Sequence, residues 1–172
     1  MARFSFLILL LLGINSYAQS EINWMTWEQM IAQRDKDSIK KKVYIDLYTD
    51  WCGWCKKMER STFSDPVIAS YLNEIYYPVK MNGEQKTTIK FKDKEYKYVQ
   101  SCRKGYHELA AWMMRGKMGY PTVTFIDENL EIIQPIQGYL STEKFEPIMT
   151  YFGEDHHRKV PWNHYQKWVF VT

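Results

Sequence analysis

The sequence predicts an α/β fold in which a central mixed β-sheet carries helices on both faces. Three observations predict it. The β-branched and aromatic run Val43-Tyr44-Ile45-Asp46-Leu47-Tyr48 leads straight into a helix start near Cys52. A second run, Ile75 to Met81, follows an apolar pattern of helical spacing, which completes a βαβ order. Thr122 to Ile126 and Glu131 to Gln137 then flank a tight Asp127-Glu128-Asn129 turn, so they pair antiparallel, with a helix before and after them.

The remaining elements follow in order. Thr26-Trp27-Glu28-Gln29 has the form of a capping box, and Trp27, Met30 and Ile31 recur at helical spacing behind it. The charged stretch Arg34 to Lys42 reads as a solvated helix end and linker. Asp65-Pro66 supplies a cap and a first-turn proline, with Val67, Ile68, Tyr71 and Leu72 following at helical spacing. Gly83 to Lys104 holds seven Lys and Arg against three acids. Within it Ile89-x-Phe91 and Tyr96-x-Tyr98 alternate around Asp93, which predicts a small basic hairpin on the surface. His107 to Lys117 reads as a helix with Leu109, Trp112 and Met113 inward, and Phe145, Ile148, Met149 and Phe152 mark a last amphipathic helix.

A chain of 172 residues, 45% apolar, accommodates one ordinary domain. The net charge of +3 comes with no concentrated basic face, so nucleic acid is not an expected partner. Arg3, the apolar run Phe4 to Leu12, and Ser16-Tyr17-Ala18 with small residues at −3 and −1 have the form of a signal peptide over residues 1–18. The run is about half of the ~20 residues that a membrane-spanning helix needs. Position 19 is Gln, which argues against a lipid-anchoring cysteine. The expected mature protein, from residue 19, is exported and soluble, and periplasmic if the source has two membranes. That compartment lets disulfides form. Three cysteines are too few for a disulfide-stapled miniprotein.

Trp51-Cys52-Gly53-Trp54-Cys55-Lys56 follows directly on the first strand. Cysteines at i and i+3 at a helix start can close a disulfide with little backbone movement. Cys52 lies where unpaired helix N–H groups point, which stabilises its thiolate below the free value of about 8.5 and makes it the nucleophile. Cys55, one turn deeper and less exposed, then resolves a mixed disulfide. A zinc site would need a second pair, and Cys102 has no partner at ligand spacing, so no metal is expected. Neither a phosphate-binding glycine loop nor a Walker lysine is present, so the redox couple Cys52–Cys55 itself is expected to replace any cofactor.

These motifs together resemble the thioredoxin-like superfamily, from about Val43 to Phe152. Asp46, six residues before Cys52, is similar to the family's buried acid, and Lys80-Met81-Asn82 to its third-strand motif. Gly119-Tyr120-Pro121-Thr122 is similar to the loop whose proline is cis and faces the disulfide, and Gly138 to the glycine after the last strand. The stretch Trp51 to Leu72 resembles the exported thioredoxin-related branch more than cytosolic thioredoxin. The resemblance implies a thioredoxin-like domain over residues 19–152, with an insertion at about 83–104 before the cis-proline loop and a tail over 153–172. It implies that Asp46, with a pKa raised by burial, accepts a proton from Cys55, and that Lys80 moderates it. The residues alone leave open whether Asp46 faces water. Trp51, Trp54, Tyr120 and cis Pro121 would bind an extended polypeptide.

Trp54 can supply neither charge nor a strong donor to sulfur, which argues against the most oxidising end of the range and favours a reductase or a general exchange enzyme over a dedicated oxidant. Protein thiols and disulfides are the expected substrates, with a membrane protein as electron donor. A redox-inactive polypeptide-binding module is the alternative, and a disulfide isomerase another. No dimerisation segment is evident, so a monomer is expected. Cys102 reads as a free or semi-buried thiol, or a third redox cysteine. The tail, with His156, His157, His164, Trp162, Tyr165 and Trp168, reads as an aromatic strap packed on its own domain.

Overall fold

The computed structural model describes residues 21–101 and 104–169. The leader at 1–18 and Cys102 lie outside them. Strands β1 (Lys42–Tyr48), β2 (Tyr76–Asn82), β7 (Thr122–Ile126) and β8 (Ile132–Gln137) form one sheet in the order β2-β1-β7-β8. β1 and β2 are parallel, and β7 and β8 are antiparallel to their neighbours. The parallel pair is joined by α2 (Gly53–Arg60) and α3 (Pro66–Ile75), long enough for the crossover that parallel strands require.

Alternation along β1 sets the two faces. Val43, Ile45 and Leu47 enter one core with Trp27 and Met30 of α1 (Trp27–Lys36) and Leu109 and Met113 of α4 (Glu108–Met113). Tyr44 enters the other, among Met58, Ile68 and Leu72 of α2 and α3 and Phe145 and Met149 of α5 (Thr142–Gly153). Asp46 shares the parity of Tyr44 and is buried beneath the face that α2 covers. Sheet, helices and both layers thus have the predicted form.

Local signals explain the helix starts. The Thr26 hydroxyl accepts from the Gln29 N–H while the Gln29 side chain accepts from the Thr26 N–H. Asp65 Oδ1 accepts from the N–H groups of Val67 and Ile68, with Pro66 at the first helical position. α4 stops at Met113, four residues short of the predicted Lys117. Arg115 (φ 51°) and Gly116 (φ 76°) turn left-handed, and the Gly116 N–H reaches back to the Ala111 carbonyl at 2.8 Å.

Three further differences are instructive. β3 (Ile89–Phe91) and β4 (Lys94–Tyr96) pair as a hairpin, but one side of it is not on the surface. Ile89, Phe91 and Tyr96 are buried, with Phe91 edge-on to Trp27 at 4.9 Å. A second short pair, β5 (Tyr98–Val99) with β6 (Tyr106–His107), returns the chain to α4. Lys42, expected in a solvated linker, is 5% exposed. Its ammonium meets Glu128 at 2.8 Å, Asp155 at 3.0 Å and the Gly153 carbonyl at 3.3 Å, so burial is matched by three acceptors. The chain after α5 forms a 3₁₀ turn, His156–Arg158, and α6 (Trp162–Val169). Tyr165 is buried against Tyr151 at 4.9 Å, so this segment packs on its own domain.

Candidate active site

The site forms at the carboxyl ends of β1 and β2, where β7 begins. Leu47 pairs with Thr122, so the turn after β1 and the loop before β7 leave the sheet side by side. Cys52 is the N-cap of α2 and is disulfide-bonded to Cys55. The Cys55 backbone N–H donates to Cys52 Sγ at 3.1 Å. One of the helix's otherwise unpaired amide groups is thus aimed at the sulfur, the geometry that favours negative charge there. The expected difference in exposure is absent: Cys52 is 4% exposed and Cys55 7%. Cys52 is thus as enclosed as its partner at the N-cap of α2.

Cys55 and Asp46 line one cleft of about 570 Å³, with Tyr48, Glu59, Arg60 and Lys80. Asp46 is 2% exposed, and its Oδ1 is buried with no hydrogen-bond partner. Burial raises its pKa to about 7, with Lys80 opposing the rise and Glu59 adding to it. Lys80 is the register partner of Asp46 on β2, but its ammonium pairs with the Glu59 carboxylate. Glu59 escaped the sequence reading. It lies four residues after Cys55, hence on the same helix face, and that spacing was the available signal.

The Tyr120–Pro121 peptide is cis, and the Pro121 carbonyl accepts from the N–H of Gly138 (φ 101°) at 2.9 Å. Tyr120 stands edge-on to Trp51 at 6.0 Å. Its hydroxyl is buried without a partner, and burial pushes its pKa up to about 12. The ring is pressed onto Gly83, where an added Cβ would lie 2.0 Å from the hydroxyl oxygen; only a residue with no side chain fits. Gly83 was another residue the sequence reading missed.

Trp51 and Trp54 are 53% and 57% exposed and rest on different neighbours. The Trp51 indole N–H donates to both oxygens of Glu84 at 3.0 Å. Trp54 leans on Tyr139 at 5.5 Å. Of the histidines, His107 is buried, its Nδ1 accepting from the Leu109 N–H and its Nε2 meeting the Thr87 carbonyl. His156 and His157 stack on aromatics of α5 and α6, away from the cysteines. Among the described residues no helix is long and apolar enough to cross a membrane.

A strand–CxxC–helix unit with a cis-proline loop at the same end of a mixed sheet defines a thioredoxin-fold protein. Residues 13–161 match the Thioredox_DsbH family, described as "Protein of unknown function, DUF255", and the chain belongs to that family. It is 42% identical over 52 residues to the thiol:disulfide interchange protein DsbD of Photorhabdus laumondii, covering 30% of this chain and 8% of that protein. It is 28% identical over 116 residues to DsbD of Pectobacterium atrosepticum, covering 64% of this chain and 16% of that one. The chain therefore spans less than a fifth of either relative. Among solved structures, the DsbH oxidoreductase superposes with a TM-score of 0.57 at 16% identity, over 84% of this chain and 92% of that one.

Proposed function

We propose that this chain is an exported thiol–disulfide oxidoreductase that reduces protein disulfides through Cys52 and Cys55. The observation that carries the reading is the Cys55 N–H aimed at Cys52 Sγ, with Asp46 in the same cleft as Cys55. In the reduced protein the Cys52 thiolate attacks a substrate disulfide, forming a mixed disulfide and releasing one substrate thiolate. Cys55 passes its proton to Asp46 and attacks Cys52 Sγ, expelling the second substrate thiolate. Two electrons reach the substrate, and Cys52–Cys55 is left oxidised. A donor dithiol, supplied by a membrane protein, then reverses these steps.

Asp46 suits the proton transfer because its pKa of about 7 lets it take up and release a proton near neutrality. Lys80, held by Glu59, limits the rise. Trp51, Trp54, Tyr120 and cis Pro121 frame the sulfurs and bind the substrate chain as an added extended segment. Trp54 beside Cys55 gives no charge to stabilise a reduced thiolate, which favours reduction of substrates over strong oxidation. The relatives' name, thiol:disulfide interchange protein, supports the same chemistry. Residues 1–18 supply the export signal.

A Cys55→Ser variant tests it. The expected result is accumulation of mixed disulfides through Cys52, visible on non-reducing gels and lost in Cys52→Ser. Recovery of no covalent partner, with no turnover of a model protein disulfide by the native chain, favours a binding module that keeps the fold without the exchange.

A further inference from the structure

Both tryptophans of the Trp51–Cys55 run carry a lysine on the ring. Lys104 Nζ lies 3.4 Å from the Trp51 centroid, and Lys57 Nζ lies 4.9 Å from those of Trp54 and Tyr139. On the Trp51 side the surface continues into a second cleft, between Lys104, Tyr106, Met118 and Tyr120. Met118 is exposed, so Trp51, Trp54 and Met118 gather exposed apolar surface around one disulfide.

The charge around that surface is mostly positive. Helix α2 presents Lys56, Lys57 and Arg60 to solvent, and Lys104 adds a fourth exposed cation. Of the neighbouring carboxylates, Glu59 is paired with Lys80. Glu84, which accepts from the Trp51 indole, and exposed Asp50 keep their charge, so four cations face two carboxylates. An ammonium seated on an indole face is partly ordered and partly desolvated before any partner arrives, so pairing it with a carboxylate costs less than ordering a free lysine. Bulk net charge of +3 does not produce this; its placement beside the sulfurs does.

We propose that this lysine-capped aromatic rim selects protein partners whose disulfide lies in a segment rich in Asp and Glu. The inference rests on the exchange reaction proposed above and adds the chemistry of its substrate. Complementary charge at a rim acts chiefly on the rate of encounter, and salt screens it.

Three peptides of equal length test this, each with one internal disulfide, flanked by Glu, by Lys or by Gln. Reduced wild-type protein is mixed with each, and second-order rates are read at about 10 mM and about 1 M salt, where the screening length falls from about 30 Å to about 3 Å. The Glu peptide should react about tenfold or more faster than the Lys peptide at low salt, and the gap should close at high salt. In Lys57→Glu with Lys104→Glu the order should reverse, and in the Gln counterparts the ratio should shrink. A ratio taken within one variant does not depend on how much of it is folded. Equal rates for Glu and Lys peptides at low salt in the wild type overturn the selection and leave the exchange intact, as does a wild-type ratio in the charge-reversed variant. Wild-type protein that reduces none of the three removes the exchange reading and this one with it.

Discussion

Asp46 and Lys80 are paired across adjacent parallel strands, yet the Lys80 ammonium is bound by Glu59 and leaves one Asp46 oxygen buried and unpartnered. A carboxylate next to a fully available lysine would have its pKa pulled down. Sharing the lysine with Glu59 lets burial win, and the carboxyl titrates at about 7.

That value sets a stability test on the oxidised protein. A carboxyl moved from 3.8 to about 7 on folding is protonated in the native state and ionised in the unfolded chain between those pH values. The native chain should therefore lose stability as pH rises from about 4 to about 7, by at most about 4 kcal/mol. Urea unfolding of Asp46→Asn against wild type should show the variant gaining relative stability across that window and a constant difference outside it. Parallel curves would remove the raised pKa.

The same substitution should act on the second half of the exchange. Without a carboxylate to take the Cys55 proton, a preformed mixed disulfide should resolve at least about 10²-fold more slowly, the lower end of the usual worth of one acid–base group. Quenched-flow trapping of the covalent complex reads this directly, and the formation rate should change little.

Cys52 of the reduced protein should form its thiolate below the free-thiol value of about 8.5, because the Cys55 N–H donates to that sulfur. Absorbance at the thiolate band against pH, with Cys55→Ser as the one-thiol control, measures it. A midpoint at or above the free value would leave Cys52 an ordinary thiol.

Gly83→Ala should destabilise by about 1–3 kcal/mol, because the new methyl meets Tyr120. Tyr120→Ala empties that space, so the double variant should be less unstable than the two single losses added together. Urea midpoints for the four proteins give the coupling; additivity would mean the two residues do not meet.

Lys42→Ala should cost about 1–3 kcal/mol, since it takes from Glu128 and Asp155 their buried cation and leaves them only the more exposed Arg158. Lys42→Met should cost less. Limited proteolysis should then cut first in the 154–169 segment, which Asp155 and Arg158 help tie to this cluster. Unchanged cutting would show that the aromatic packing of Tyr165 suffices.

Much of the fold was legible because strands β1, β2 and β7 are short apolar runs bounded by clear helix starts, and Thr26 and Asp65 cap as their sequences suggest. The Cys52–Cys55 pair was legible from spacing alone. What was not legible depends on contacts distant along the chain. No local pattern says that Ile89 and Phe91 turn inward onto Trp27, that Lys42 is buried by residues more than eighty positions later, or that Glu84 receives the Trp51 indole. The face of Asp46 was undecidable from alternation because Tyr44 and Tyr48 suit either side; α2 packing over it decides the matter.

The clamp on Trp51 has a consequence for engineering. Its indole is gripped by Glu84 and Lys104, at the two ends of the long excursion between β2 and α4. The five residues from Trp51 to Cys55 are therefore not a portable cassette. Transplanted into a compact scaffold that lacks the excursion, they would keep their sulfurs and lose the orientation of the ring beside them.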